Sequence, residues 1–176
     1  HGLRRGEIVT FAAGSGVGKS HVCKIIAHNL LKTDHKVGYI ALEESLERTA
    51  NSIIGLEMKK LIHLDPEFQA TDEYNETFKN TVGSGRCFLY DHWGSMESDN
   101  LLGHIRYMAK VMDVEYVVLD HLSIIVSGLG DGDERRLIDN TMTKLRSLVE
   151  ETNIGMILVS HLKRPEGKGH EEGAST

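Results

Sequence analysis

The sequence contains no run of about 20 apolar residues, so nothing in it reads as a membrane-spanning helix. It has only 2 prolines and no low-complexity tract, which argues against a fibrous or disordered chain. Its 2 cysteines, Cys23 and Cys87, stand far apart with no Cys-x-x-Cys spacing. That argues against a disulfide scaffold or a zinc ribbon and makes a reducing compartment the default. Positive charge is not in excess: 20 Lys and Arg face 26 Asp and Glu, for a net charge of −6. A blanket basic coat for nucleic acid is thereby excluded, though a local basic strip on an acidic body is not. There is no initial Met and no apolar leader. The chain opens on His1-Gly2-Leu3-Arg4-Arg5 and stops in the polar stretch Glu171-Glu172-Gly173-Ala174-Ser175-Thr176, so we expect the middle of a longer protein. What is present is 176 residues, 40% of them hydrophobic, enough for one domain around one sizeable core.

Short continuous apolar runs predict five strands: Glu7–Ala12, Val37–Ala41, Cys87–Tyr90, Tyr116–Leu119 and Met156–Val159. Helical spacing fills the intervals. Val22, Ile25, Ile26 and Leu30 form one set, and Leu46, Ala50, Ile53 and Ile54 a second that Ser45 could cap. Leu101, Leu102, Ile105, Met108 and Met112 form a third, opened by Ser98 or Asp99, and Leu137, Ile138, Thr141, Leu145 and Leu148 a fourth. Residues 61–83 are polar and aromatic and read as helical in part. Strands that are apolar throughout, alternating with helices, predict an α/β fold with a mostly parallel sheet covered on both faces. Ligands of such folds bind at the carboxyl ends of the strands, so the residues after each strand carry the functional reading.

After the first strand comes Ala13-Gly14-Ser15-Gly16-Val17-Gly18-Lys19-Ser20, a phosphate-binding loop of the form Gly-x-x-x-x-Gly-Lys-[Ser/Thr] with Ala13 in place of the first glycine. Glycines let the backbone wrap a triphosphate with its N–H groups inward, and the following helix aims its positive end at the phosphates. Lys19 would neutralise the β- and γ-phosphates, and Ser20 would give an oxygen to Mg²⁺. After the second strand stand Glu43 and Glu44. Either could polarise a water for attack on a γ-phosphate, or both could be the acidic first turn of the next helix. Asp120 ends the fourth strand as a Walker B carboxylate would, in reach of the Mg²⁺ shell. No Glu follows it, the next residue being His121, which raises the standing of Glu43 as the base.

His161, after the fifth strand, could sense a γ-phosphate or be merely structural. Beyond it, Lys163, Arg164 and Lys168 lie on a glycine-containing segment that could meet a nucleic-acid backbone or remain a solvated loop. His21, His28 and His35, seven residues apart, have no ligand-pair spacing and are assigned no metal. Tyr90 and Trp93 could stack a base, but core or edge packing is the plainer reading.

Taken together, Ala13–Ser20, Leu42-Glu43-Glu44-Ser45, Leu119-Asp120-His121-Leu122-Ser123-Ile124, Asp133-Glu134-Arg135 with Ile138-Asp139-Asn140, and Ser160-His161-Leu162-Lys163 through His170-Glu171-Glu172-Gly173 form one ordered set. This set resembles the helicase domain of short-tailed-phage primase–helicases, relatives of DnaB-type hexameric helicases and of the mitochondrial helicase Twinkle. The resemblance covers nearly the whole chain. It implies one RecA-like P-loop NTPase domain over residues 1–176, truncated at both ends relative to the family. It also implies NTP-driven 5′-to-3′ translocation on single-stranded DNA, with ATP or dTTP as substrate and Mg²⁺ as cofactor. Matched by position, residues Ala13–Ser20 bind the nucleotide, Ser20 and Asp120 hold the metal, and Lys19, Glu43 and His161 are catalytic, Glu43 as base and His161 as γ-phosphate sensor. Lys163, Arg164 and Lys168, with the Ser127–Asp133 loop, face DNA. The family's arginine finger would lie beyond Thr176, and a subunit-linking segment or primase domain before His1.

The implied partners are identical subunits in a hexameric ring, a primase and a DNA polymerase, with no membrane. The implied setting is the cytoplasm of a phage-infected or bacterial cell, or alternatively a mitochondrial or organellar matrix. Two other functions share these motifs: a RecA/RadA-type recombinase, and a nucleotide-gated DNA-binding module without motor activity. A small-molecule kinase would need an acceptor pocket and an arginine-bearing lid, neither of which is visible in the sequence.

Overall fold

A computed structural model describes residues 2–14, 16–90, 98–121 and 134–161, with the backbone alone at 63, 66, 98, 99, 134, 135, 137 and 161. The strands are β1 (Ile8–Ala13), β2 (Val37–Ala41), β3 (Cys87–Tyr90), β4 (Tyr116–Asp120) and β5 (Gly155–His161). The helices are α1 (Lys19–Lys32), α2 (Leu46–Met58), α3 (Asp72–Asn80), α4 (Ser98–Lys110) and α5 (Glu134–Thr152). The five strands pair in the order β1-β5-β4-β2-β3, and every described pairing is parallel. Among the described residues the sheet is therefore wholly parallel rather than mostly so.

Successive residues of each central strand enter opposite layers, as the period of two requires. Tyr39, Val118, Ile157 and Val159 pack with Cys23, Ala27 and Leu31 of α1 and Ile53 of α2. Ile40, Val117, Leu119, Met156 and Leu158 pack with Leu101, Ile105 and Met108 of α4 and Leu145, Leu148 and Val149 of α5. No described helix is long and apolar enough to cross a membrane.

Helix α1 forms where the spacing places it, with its inward face rotated: Ile26 and Leu30 of the expected set pack, partly buried, against the cluster of Cys23, Ala27 and Leu31. Val22 and Ile25 are 41% and 36% exposed, whereas Cys23 and Ala27 are fully buried. Small side chains at Cys23 and Ala27 face the sheet, and Val22 and Ile25 point outward. Of the third and fourth helical sets, Leu101, Ile105, Met108, Thr141, Leu145 and Leu148 are buried, and Leu102, Met112 and Ile138 are partly buried against the core; the Leu137 side chain lies outside the described residues. Residues 61–83 resolve into two 3₁₀ turns, Ile62–Leu64 and Pro66–Ala70, followed by α3. Among the described side chains of α3 none is buried, which is why its apolar signal is weak.

The three evenly spaced histidines do not come together. His28 Nε2 lies 2.6 Å from Glu57 of α2, and His35 Nδ1 lies 3.0 Å from Glu115 below β4. Tyr90 packs beside His104 of α4, with ring centroids 4.7 Å apart, and joins the α4–α5 core; Trp93 lies outside the described residues.

Burial pushes the Cys23 thiol up to about 12, with the charge of Asp120 adding to the effect, and burial pushes Cys87 up to about 12 as well. Since the thiolate is the reactive form, both cysteines should resist alkylation near neutral pH and react on unfolding. Rapid modification of Cys23 without denaturant would contradict the packing of α1 on the sheet.

Candidate nucleotide-binding site

The loop between β1 and α1 is built on backbone geometry that glycine permits. Gly16 and Gly18 have φ of 80° and 91°, the left-handed region that side chains with a Cβ enter at a cost. Gly18 is the residue before α1, with no side-chain cap, so the first turn of the helix offers uncapped N–H groups to the loop. Ala13, the departure from the usual first glycine, is the last residue of β1 and needs no positive φ. Its carbonyl accepts a hydrogen bond of 2.9 Å from Lys19 Nζ, and that of Gly14 accepts one of 2.5 Å. The lysine thus folds back over its own loop, largely buried. Gly14, Gly16, Val17, Gly18, Lys19 and Ser20 are all described; Ser15 lies outside the described residues.

Parallel pairing carries the other candidates to the same edge. Ala41 of β2 is in register with Asp120 of β4, and the Leu42 N–H donates to the Asp120 carbonyl at 2.7 Å. The exit of β2, bearing Glu43 and Glu44, is therefore fastened to the end of β4. Ser20, Ala41, Glu43, Glu44, Arg48 and Asp120 line one cleft of about 210 Å³. On the other side, Ala13 is in register with His161, so the backbone of His161 ends β5 beside the start of the loop. The side chain of His161 and all of Lys163, Arg164 and Lys168 lie outside the described residues, as does the Ser127–Asp133 loop.

The two adjacent glutamates have different surroundings. Neither is in the first turn of α2, where Glu47 is the acidic residue and Ser45 is the cap, accepting from the Arg48 N–H at 3.3 Å. Glu43 has a half-exposed side chain, and its Oε1 lies 3.1 Å from Nε2 of His121, whose side chain is 7% exposed. Glu44 turns inward, where Lys24 of α1 and Thr49 of α2 hydrogen-bond to it. Both line the cleft, and Glu43 is the more exposed of the two, at 51% against 20% for the Glu44 side chain. The contact of His121 with Glu43 was not legible in the sequence, where His121 stood out only because it occupies the place of an acid. Its signal is positional: it is a polar residue directly after a buried strand whose last residue neighbours β2.

Asp120 is 7% exposed. Its Oδ2 faces the Tyr39 hydroxyl at 3.5 Å, a long contact, while its buried Oδ1 has no hydrogen-bond partner among the described residues. Burial, with the charge of Asp120 adding to it, raises the Tyr39 hydroxyl far above its usual range, so Tyr39 can only donate there. A buried carboxylate oxygen left over beside Ser20 fits a divalent cation. Among the described residues no group of three or more His, Cys, Asp or Glu could hold a metal by itself. Mg²⁺ suits such a place, because it is bound through one or two protein oxygens together with phosphates and water.

The model of the DnaB-like helicase C terminal domain family matches residues 1–172. The chain is 38% identical over 178 residues to a DNA helicase/primase of Enterobacteria phage T3, covering 98% of this chain and 31% of that protein. It is 29% identical over 171 residues to a probable plasmid replicative DNA helicase of Chlamydia trachomatis, covering 92% of this chain and 36% of that one. The chain thus spans about a third of the length of these curated relatives. Among solved structures it is similar to an ATPase domain, with a TM-score of 0.70 and 18% identity, covering 93% of this chain and 60% of that one. That likeness concerns the RecA-like α/β fold alone.

Proposed function

Since this chain belongs to the family of DnaB-like helicase C-terminal domains, we propose that it is the nucleotide-hydrolysing motor domain of a replicative DNA helicase. The observation that carries this reading is the convergence of Lys19, Ser20, Glu43 and Asp120 at the carboxyl edge of one parallel sheet, three of them on a single cleft. In the proposed reaction the N–H groups of residues 14–20 cradle the phosphates of ATP or dTTP. Lys19 exchanges its two carbonyl partners for β- and γ-phosphate oxygens. Glu43 takes a proton from the water that attacks the γ-phosphorus; the P–O bond to the β-phosphate breaks and the diphosphate leaves. His121 holds the Glu43 carboxylate while it is waiting. Ser20 Oγ and Asp120 Oδ1 would hold Mg²⁺, which when bound neutralises charge on the phosphate oxygens.

His161 has the strand position for a γ-phosphate sensor, and Lys163, Arg164 and Lys168 the chemistry for a DNA backbone. We further propose that identical subunits assemble as a hexameric ring on single-stranded DNA, moving 5′ to 3′. A primase and a DNA polymerase are its working partners, and the cytoplasm of a phage-infected or bacterial cell is its setting. The full-length protein, given forked DNA, Mg²⁺ and nucleotide, should displace the paired strand. Strand exchange between homologous duplexes without fork unwinding would instead make it a recombinase, and nucleotide binding without either would make it a gated binding module.

A further inference from the structure

Helix α1 and the β2–α2 region are joined at two places. At the far end of the helix, His28 and Lys32 meet Glu57 at 2.6 and 3.5 Å. At the end near the phosphate loop, Lys24 reaches Glu44, the residue next to Glu43. The Lys24 side chain is 7% exposed and that of Glu44 is 20% exposed. Glu44 Oε2 accepts from Lys24 Nζ and, at 3.1 Å, from Thr49 Oγ1, while Oε1 lies 3.0 Å from Arg48 Nε. Both carboxylate oxygens are therefore engaged. Lys24 Nζ also lies 3.4 Å from Ser52 Oγ.

A buried ion pair is a poor device for stability alone, because desolvation consumes most of its attraction and two apolar side chains would serve as well. Its geometry is what apolar residues cannot reproduce. Here one end of the pair belongs to the rigid helix that begins with Lys19 and Ser20. The other end belongs to the turn that presents Glu43. We propose that Lys24 and Glu44 are positioning residues: the pair braces α1 against the β2–α2 turn and so sets the distance between the phosphate loop and the general base. This rests on the reading of Glu43 as that base. The pair at Glu57 joins the same helices without reaching the turn, and it supplies the control.

The test uses the full-length protein and four variants, each measured for kcat, for affinity toward a fluorescent nucleotide and for melting temperature. The informative variant is the double substitution Lys24→Met with Glu44→Gln. It leaves no lone buried charge, so it folds even where either single substitution does not. We expect its nucleotide affinity to stay within about twofold of wild type while kcat falls roughly tenfold, since a small displacement of a reacting group costs rate rather than ground-state binding. Lys24→Arg, which can remake the ion pair, should recover most of the rate. Glu57→Gln should change melting temperature without changing kcat. A double variant with wild-type kcat, or with affinity lost in proportion to rate, overturns the brace. Glu43→Gln is measured alongside: if it turns over normally the base assignment itself falls, whereas normal turnover in the paired variants alone removes only the brace.

Discussion

Glu43→Gln in the full-length protein should bind nucleotide with near-normal affinity and hydrolyse it at least about 100-fold more slowly, which is the usual worth of a general base. The amide preserves the shape of the side chain and can still meet Nε2 of His121, 3.1 Å from the carboxylate in the native protein. It cannot take the proton of the attacking water. Glu44→Gln should cost much less, because both oxygens of Glu44 are already occupied by Lys24, Thr49 and Arg48, and it acts on rate only through placement. Steady-state hydrolysis and a fluorescent-nucleotide titration on the two variants separate the roles. A Glu44→Gln variant that keeps the wild-type melting temperature yet is more impaired than Glu43→Gln would reverse the choice of base.

Lys19→Ala should remove most nucleotide binding. The lysine is largely buried at the mouth of the loop and is held by the carbonyls of Ala13 and Gly14, so its ammonium waits where phosphates would enter. Hydrogen bonds to a charged group are worth about 1.5–3 kcal/mol, so affinity should fall roughly ten- to a hundredfold or more. The loss should be in affinity first and in turnover as a consequence, unlike that of Glu43→Gln. Unchanged affinity in the same titration would remove the assignment of residues 13–20 as a phosphate-binding loop.

The strands were legible because a parallel sheet covered on both faces is written as uninterrupted apolar runs. Tyr116–Leu119 and Met156–Val159 needed no further signal. The inward face of α1 was legible only in part: Ile26 and Leu30 pack against the core, but its most buried positions are Cys23, Ala27 and Leu31 with Lys24 and His28 beside them, while Val22 and Ile25 carry the apolar signal outward. At the site, the glycine spacing between β1 and α1 reflects a backbone constraint over a few residues, the positive φ of Gly16 and Gly18, and the place of Asp120 at the end of β4 follows from the apolar run before it. What distinguishes Glu43 from Glu44 is tertiary. Their neighbours Lys24, Thr49 and His121 come from α1, from α2 and from the residue just after β4, about 80 residues on from Glu43, and no local pattern announces such a meeting. That Asp120 Oδ1 has no hydrogen-bond partner among the described residues is likewise visible only once Tyr39 is seen to engage the other oxygen.

The measurement that bears most directly on a DNA motor is nucleotide hydrolysis by the full-length protein in Mg²⁺, with and without single-stranded DNA. We expect turnover that single-stranded DNA stimulates strongly and that Glu43→Gln abolishes in both conditions. Hydrolysis at one rate whether or not single-stranded DNA is present would contradict the assignment of this domain as the motor of a replicative helicase.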